Sequence, residues 1–298
     1  MKTFDLGELL VLAAIWGSSF LFMRLGAHDF GALTMAGLRV GVAGVALLPL
    51  LARRVGLAEA RREWRALLLL GIVNNALPFA CYAFAAQSIT AGLASILNAT
   101  TPLWGALVAW LWLGQALTPT RVFGMAVGFG GVVFLAWPNA DFKAGGSGWA
   151  VLACLAATLC YGVGASFSKR YLAKVDPLTV ATGSQFGAAA FLLVPALVAR
   201  PEQAPPWHSW LSLLMLALLC TSLAYILYFR LMQRVGPTNT IAVTFLVPVF
   251  AVLWGAVFLS EPLTPRMLAG CAVVLVGTAL ALGVLRLPRF RASRAPLP

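Results

Sequence analysis

The sequence predicts an all-α integral membrane protein: ten transmembrane helices forming two inverted five-helix repeats around a central cavity. Three observations carry that prediction. The chain is too apolar for a water-soluble domain, one half repeats the other, and equivalent loops in the two halves carry opposite charge.

Of the 298 residues, 61% are apolar and 10% charged, against about 25% charged in ordinary soluble domains. No soluble fold of this size hides that much apolar surface, so the solvent around it is lipid. A net charge of +12 raises the question of nucleic acid. The basic residues, however, sit in short loops between apolar runs, where the positive-inside rule places them, and no nucleic-acid partner is expected. Cys81, Cys154, Cys160, Cys220 and Cys271 all fall within apolar runs. Their spacing suits neither disulfides nor zinc, and they read as small packing residues. No small-residue cleavage site follows the first run, which is therefore read as a retained helix.

The repeat is explicit. Residues 82–131 recur without gaps as 228–277: Tyr82 meets Tyr228, Gln87 meets Gln233, Pro102 meets Pro248, and Gly124 meets Gly270. Leu117-Thr118-Pro119 meets Leu263-Thr264-Pro265. An earlier block agrees at almost the same offset, with Trp16 against Tyr161, Arg24 against Lys169 and Thr34 against Thr179. Apolar matches would be cheap here, but prolines, glycines and polar residues in one register mark homologous halves.

Each apolar run must be helical, because backbone in lipid satisfies its own hydrogen bonds, and about 20 residues cross the bilayer. The first run covers 9–25, with Glu8 and Arg24 placed to snorkel at its ends. The second, 30–52, is interrupted by Arg39 and followed by a charged loop, 53–65. Residues 66–120 contain no charge and suit two crossings, broken at 88–92. The fifth run is 122–137, and 139–147 links the halves. The second half follows with 148–168, 177–199, 209–229, 235–260 and 267–285. The chain thus divides into a first repeat (1–138), the linker (139–147), a second repeat (148–285) and a basic, proline-containing tail (286–298) expected to be disordered.

With the N-terminus inside, Lys2, the arginines of 53–65, Arg121, Lys169, Arg170, Lys174, Arg230, Arg234 and the tail arginines share the cytoplasmic face. The opposite face holds only Arg24, Lys143, Arg200 and Arg266, a strong bias. Five spans per half is an odd number, so the second half enters the bilayer in the opposite sense. Equivalent loops carry opposite charge accordingly. Inverted repeats of this kind typify secondary transporters, whose substrate sits near the midplane between the halves.

Arg39 is the one ionisable residue well inside an apolar run. A charge there is costly and faces a bundle interior or a water-filled cavity. It reads as an anchor for an anionic group such as a carboxylate, or else as a structural tie to helix-end carbonyls. Its repeat partner is Ser184. Asn74, Asn75 and Pro78 form one polar, helix-breaking cluster; Asn98, Thr100, Thr101 and Pro102 form another. Thr221, Ser222, Thr244 and Pro248 take similar places in the second half. Proline frees a carbonyl on the preceding turn, so these clusters line a polar pathway or bond between helices. Trp64, Trp137, Trp149, Trp207 and Trp210 fall at span ends, as an interfacial belt requires. Trp16, Trp104, Tyr82, Tyr161, Tyr225 and Tyr228 fall within spans and read as cavity wall or lipid-facing packing. Gly124, Gly128, Gly131, Gly270 and Gly277 read as close helix contacts. The acidic residues lie in loops or near span ends, leaving no midplane carboxylate. There is no phosphate-binding loop, no metal motif and no catalytic triad; neither enzyme activity nor a cofactor is expected.

The segment FLVPVFAVLWGAVFLSEPLTPRMLAG (245–270) resembles the C-terminal helix pair of EamA-type carriers in the drug/metabolite transporter superfamily, and MAGLRVGVAG resembles that family's first-half pattern. Glu261 keeps the family's usual glutamate after the ninth helix, whereas Gln115 departs from it. The chain is most similar to bacterial amino-acid exporters, the aromatic amino-acid branch included. The resemblance implies a monomeric multi-pass carrier of the bacterial inner membrane with cytoplasmic termini, in contact with lipid, exporting amino acids by alternating access. In that reading Arg39, Asn74, Asn75, Asn98 and Thr101 bind substrate, Trp16, Tyr82, Trp104, Tyr161 and Tyr228 shape the wall, and Pro78, Pro102 and Pro248 break helices. Export of other metabolites or drugs is the alternative. A lipid-modifying enzyme would need clustered acids or an interfacial nucleophile, which the sequence lacks.

Overall fold

The computed structural model describes residues 3–139, 141–143, 146–240 and 242–285, and these residues contain helices and no strand. Ten apolar helical segments follow in order: α1 Thr3–Phe30, α2 Ala32–Arg54, α3 Trp64–Ala85, α4 Ala91–Leu113, α5 Pro119–Ala136, α6 Ser147–Tyr171, α7 Pro177–Val198, α8 Trp207–Gly236, α9 Val243–Leu259 and α10 Pro265–Ala281. The first eight are long and apolar enough to cross a membrane; α9 and α10 are shorter apolar helices of 17 residues each. This is an all-α, multi-pass membrane protein. A short helix, Ala58–Arg62, sits in the basic loop after α2. The tail 286–298 and its expected disorder lie outside the described residues.

Local chemistry explains the ends of these helices, and it does so twice. The Leu-Thr-Pro motif opens both α5 and α10. Thr118 accepts a hydrogen bond from Arg121 N and Thr264 from Met267 N, each as N-cap, with Pro119 and Pro265 in the first helical turn. The preceding helices, α4 and α9, both stop at a left-handed residue, Gly114 (φ 65°) and its repeat partner Ser260 (φ 54°). Glu261 follows at once. Its Oε1 and Oε2 accept from Ala91 N (2.8 Å) and Gly92 N (3.3 Å) at the start of α4, where the helix dipole favours an anion.

The main contacts join one half to the other. α1 packs on α9 as α6 packs on α4; α3 packs on α6 as α8 packs on α1; α2 packs on α8 as α7 packs on α3. α2 pairs with α7, and α5 with α10. Each of these contacts between the halves thus occurs twice, or pairs equivalent helices, as in an isologous dimer. Glycine allows the closest approaches. A Cβ on Gly124 would sit 2.7 Å from the Gly277 carbonyl oxygen, and one on Gly71 2.6 Å from Ala188 N.

Several expectations from sequence need correction. α1 is longer than the run 9–25, and its first turns bury acids rather than letting them snorkel. The Glu8 side chain is only 4% exposed. Guanidinium partners make this tolerable: Arg230 Nε lies 2.7 Å from Glu8 Oε1, Arg234 also pairs with Glu8, and Arg234 Nε lies 3.5 Å from Asp5. Those arginines belong to α8, which continues past the expected loop to Gly236. Gly236, at φ 80°, breaks the helix inside the expected ninth run, 235–260, and α9 starts only at Val243. Arg24 is likewise helical, and its Nη1 donates to the Ala86 carbonyl at 2.5 Å, tying α1 to the α3–α4 turn.

Candidate functional site

Between the halves lies a cavity of about 340 Å³. α1 contributes Trp16, Ser19, Phe20 and Met23; α2 contributes Arg39; α3 contributes Asn74, Phe79 and Tyr82; α4 contributes Asn98, Thr101 and Pro102. The second half adds Tyr161 from α6, Cys220, Thr221, Tyr225 and Tyr228 from α8, and Thr244 and Val247 at and near the start of α9.

Two irregular turns shape it. α3 widens into a π-helix at Ile72–Ala76 and α8 at Met215–Leu223, at equivalent places in the repeat. Such turns leave carbonyls for side chains and recur at functional sites. The α8 turn is supported by its own hydroxyls: Thr221 Oγ1 donates to Leu216 O (2.9 Å) and Ser222 Oγ to Ala217 O (3.1 Å).

Arg39 is 6% exposed. Its Nε donates to Thr221 Oγ1 at 3.0 Å, Nη1 lies 3.9 Å from the Met23 sulfur, and the guanidinium stacks 3.6 Å above the Phe79 ring. It therefore bonds a hydroxyl on the opposing π turn, not helix-end carbonyls. The symmetry-related joint is neutral. There Ser184, Arg39's partner in the repeat, accepts from Asn75 Nδ2 at 3.0 Å, and Asn75 is Thr221's partner. One joint between α2 and α8 carries a charge; the matching joint between α7 and α3 does not.

The carboxamides are already engaged. Asn75 Oδ1 accepts from Asn74 Nδ2 and from the Tyr225 hydroxyl, both at 3.4 Å. Asn98 Oδ1 accepts from the Tyr82 hydroxyl at 3.0 Å, and Thr101 Oγ1 donates to the Asn98 carbonyl at 2.8 Å. Aromatic rings form the rest of the wall. Trp16 and Tyr228 lie 5.3 Å apart, Tyr82 stacks on Tyr161 at 6.3 Å, and Phe20 meets Tyr82 edge-on at 5.6 Å.

Of the residues singled out in the sequence, Arg39, Asn74, Asn98, Thr101, Trp16, Tyr82, Tyr161, Tyr228 and Pro102 line the cavity. Asn75 stands behind it, fully buried against Ser184. Trp104 does not line it; its ring packs on Phe129 at 4.9 Å, next to Gly162. Pro78 directly follows the π turn of α3, whereas α9 runs through Pro248 without a break. Sequence reasoning passed over Ser19, Phe20, Met23 and Phe79. A signal existed for two of them, since Trp16, Phe20 and Met23 share one helical face at i, i+4 and i+7. Phe79 carried none, because its role as a platform for Arg39 depends on how α2 meets α3. The tryptophans expected in an aromatic belt, Trp64, Trp137, Trp149, Trp207 and Trp210, are all exposed near the ends of helical segments.

The profile of the EamA-like transporter family matches this chain twice, over residues 6–137 and 148–283. The chain is 24% identical over 274 residues to YvbV, an uncharacterized transporter of Bacillus subtilis, covering 91% of this chain and 89% of that protein. It is 28% identical over 275 residues to a protein named "Probable terminal-alkyne amino-acid exporter" from Streptantibioticus cattleyicolor, covering 91% of each. It is also 28% identical over 256 residues to YedA, an uncharacterized inner membrane transporter of Escherichia coli, covering 84% and 81%. A solved crystal structure superposes with a TM-score of 0.69 at 20% identity, over 96% of this chain and 99% of the other, which establishes a shared fold. Family and relatives alike are transporters rather than enzymes.

Proposed function

Since the chain belongs to the EamA-like transporter family, we propose that it is a secondary transporter of the bacterial inner membrane, exporting amino acids or similar small metabolites by alternating access. Its frame would be ten spans in two inverted five-helix repeats with both termini cytoplasmic. The duplicated family match, the duplicated caps and the paired contacts between halves all support that frame. The cavity between the repeats is the transport site.

One observation carries the substrate reading: a buried guanidinium, with no carboxylate beside it among the described residues, stands in the wall of an otherwise uncharged, largely aromatic cavity. Arg39 holds the substrate carboxylate, Asn74, Asn98 and Thr101 add polar contacts, and Trp16, Tyr82, Tyr161 and Tyr228 enclose the side chain. Asn75 acts through Tyr225 and Ser184. Amino-acid export is the name carried by one relative, and it agrees with this cavity.

Counterflow with purified protein in liposomes, screened across the twenty amino acids, tests the reading. Accumulation of a subset of labelled amino acids is expected, and its collapse in Arg39→Ala. If no amino acid accumulates, the substrate assignment fails; if Arg39→Ala transports like the parent, Arg39 leaves the mechanism.

A further inference from the structure

The charge balance of the cavity limits what it recognises. Among the described residues Arg39 is the one charged side chain in the lining, and none of the nine acidic residues reaches it. Asp5 and Glu8 face Arg234 and Arg230 far along α1, and Glu261 is committed to the first N–H groups of α4. Nor do the carboxamides supply a substitute anion. The side-chain oxygens of Asn75 and Asn98 already accept from neighbours, and that of Asn74 packs against Gly164. The site thus offers an unneutralised cation and flat aromatic surface. An ammonium entering it would meet no counter-ion. In an α-amino acid that ammonium is one carbon from the carboxylate, so a carboxylate seated on Arg39 brings its own amino group up against a like charge.

We propose that the carboxylate is the only charged group of the substrate that this cavity recognises. The preferred cargo is an amphipathic monocarboxylate with a flat apolar body, and the α-amino group of an amino acid is tolerated rather than bound. The proposal rests on the assignment of Arg39 as carboxylate anchor and deepens it. The aromatic surfaces of Trp16 and Tyr228 on one side, and of Tyr82 and Tyr161 on the other, take the apolar body.

Three compounds that share a phenylethyl unit test it: 3-phenylpropionate, phenylalanine and phenethylamine, which at neutral pH are a monoanion, a zwitterion and a cation. Binding to the purified full-length protein is titrated by intrinsic tryptophan fluorescence, with ligand-induced change in Tm as a second readout. 3-Phenylpropionate is expected to bind at least as tightly as phenylalanine, and both at least tenfold more tightly than phenethylamine. Arg39→Gln should remove the preference of acid over amine. Thr221→Val, which keeps the charge but deletes the Nε partner, should weaken the acid while preserving the order. The comparison within the parent protein needs no variant and so survives misfolding of either one. Phenylalanine binding tenfold more tightly than 3-phenylpropionate would show a site for the ammonium and overturn the proposal, as would phenethylamine binding as well as the acid. If none of the three binds to a protein that still moves amino acids in counterflow, this inference fails alone. If there is neither binding nor flux, the transport assignment falls with it.

Discussion

Arg39 shows how far a single side chain can be understood from its surroundings. A guanidinium in the middle of a span is expensive, and here its costs are partly met by Thr221 below and Phe79 alongside. What remains is an edge that points to no acid. Charge-assisted hydrogen bonds contribute roughly 1.5–3 kcal/mol, so Arg39→Ala should weaken apparent substrate affinity by about one to two orders of magnitude, read as a rise in half-saturating concentration for counterflow. Arg39→Lys should recover only part of this, because an ammonium cannot offer a carboxylate two parallel donors while leaning on Phe79. Full activity in the lysine variant would mean that charge alone matters and the planar fork does not.

The behaviour of whole helices turns on glycines and on one buried ionic cluster. Gly71 lets α3 touch the backbone of α7 at Ser184 and Ala188, so even an alanine must push two helices apart. Gly71→Ala should cost on the order of 1–3 kcal/mol and lower Tm in detergent. Gly41 on α2 has open space where a Cβ would go, and Gly41→Ala should be neutral or stabilising by up to about 1 kcal/mol. Equal Tm changes in the two variants would refute the packing argument. At the start of the chain, α1 and α8 are joined through Asp5, Glu8, Arg230 and Arg234. Truncating both arginines strands Glu8 in an apolar setting. Allowing for the partial exposure of the arginines, a loss of about 1–3 kcal/mol is expected. Glu8→Gln in that double-alanine background should restore part of the lost Tm, since it removes the stranded charge.

For the molecule as a whole, the decisive property is that its two halves face each other as relatives. If they cross the bilayer in opposite senses, both chain termini lie on the cytoplasmic side. Single cysteines placed at Lys2 and Arg289 in a cysteine-free background should then both be shielded from an impermeant thiol reagent in intact cells and both react after permeabilisation. A cysteine at Lys143, in the linker between halves, should react in intact cells. Opposite labelling of the two ends would rule out the inverted arrangement. The repeat that suggests this topology is readable because lipid keeps so few polar residues in the spans that each surviving proline, threonine and glycine marks a position. Thr118 and Thr264 repeat in sequence because they cap equivalent helices, whereas Gly114 and Ser260 differ in residue type yet share a left-handed backbone because each ends an equivalent helix.

The amino-acid sequence by itself determined the solvent, the helical class, the duplication and the one charge out of place, because burying a chain in lipid constrains composition and periodicity residue by residue. Only the tertiary structure decided what that charge touches. Phe79, Thr221 and Met23 are brought to Arg39 from three other helices, and no local pattern encodes a distance between helices. For the same reason Trp104, an intramembrane aromatic like Trp16, turned to Phe129 instead of the cavity. Asp5 and Glu8, likewise, were placed at a span end by sequence and buried against arginines by the fold. Spacing along one helix fixes which residues share a face, but the neighbour that face meets is set by how all ten segments pack.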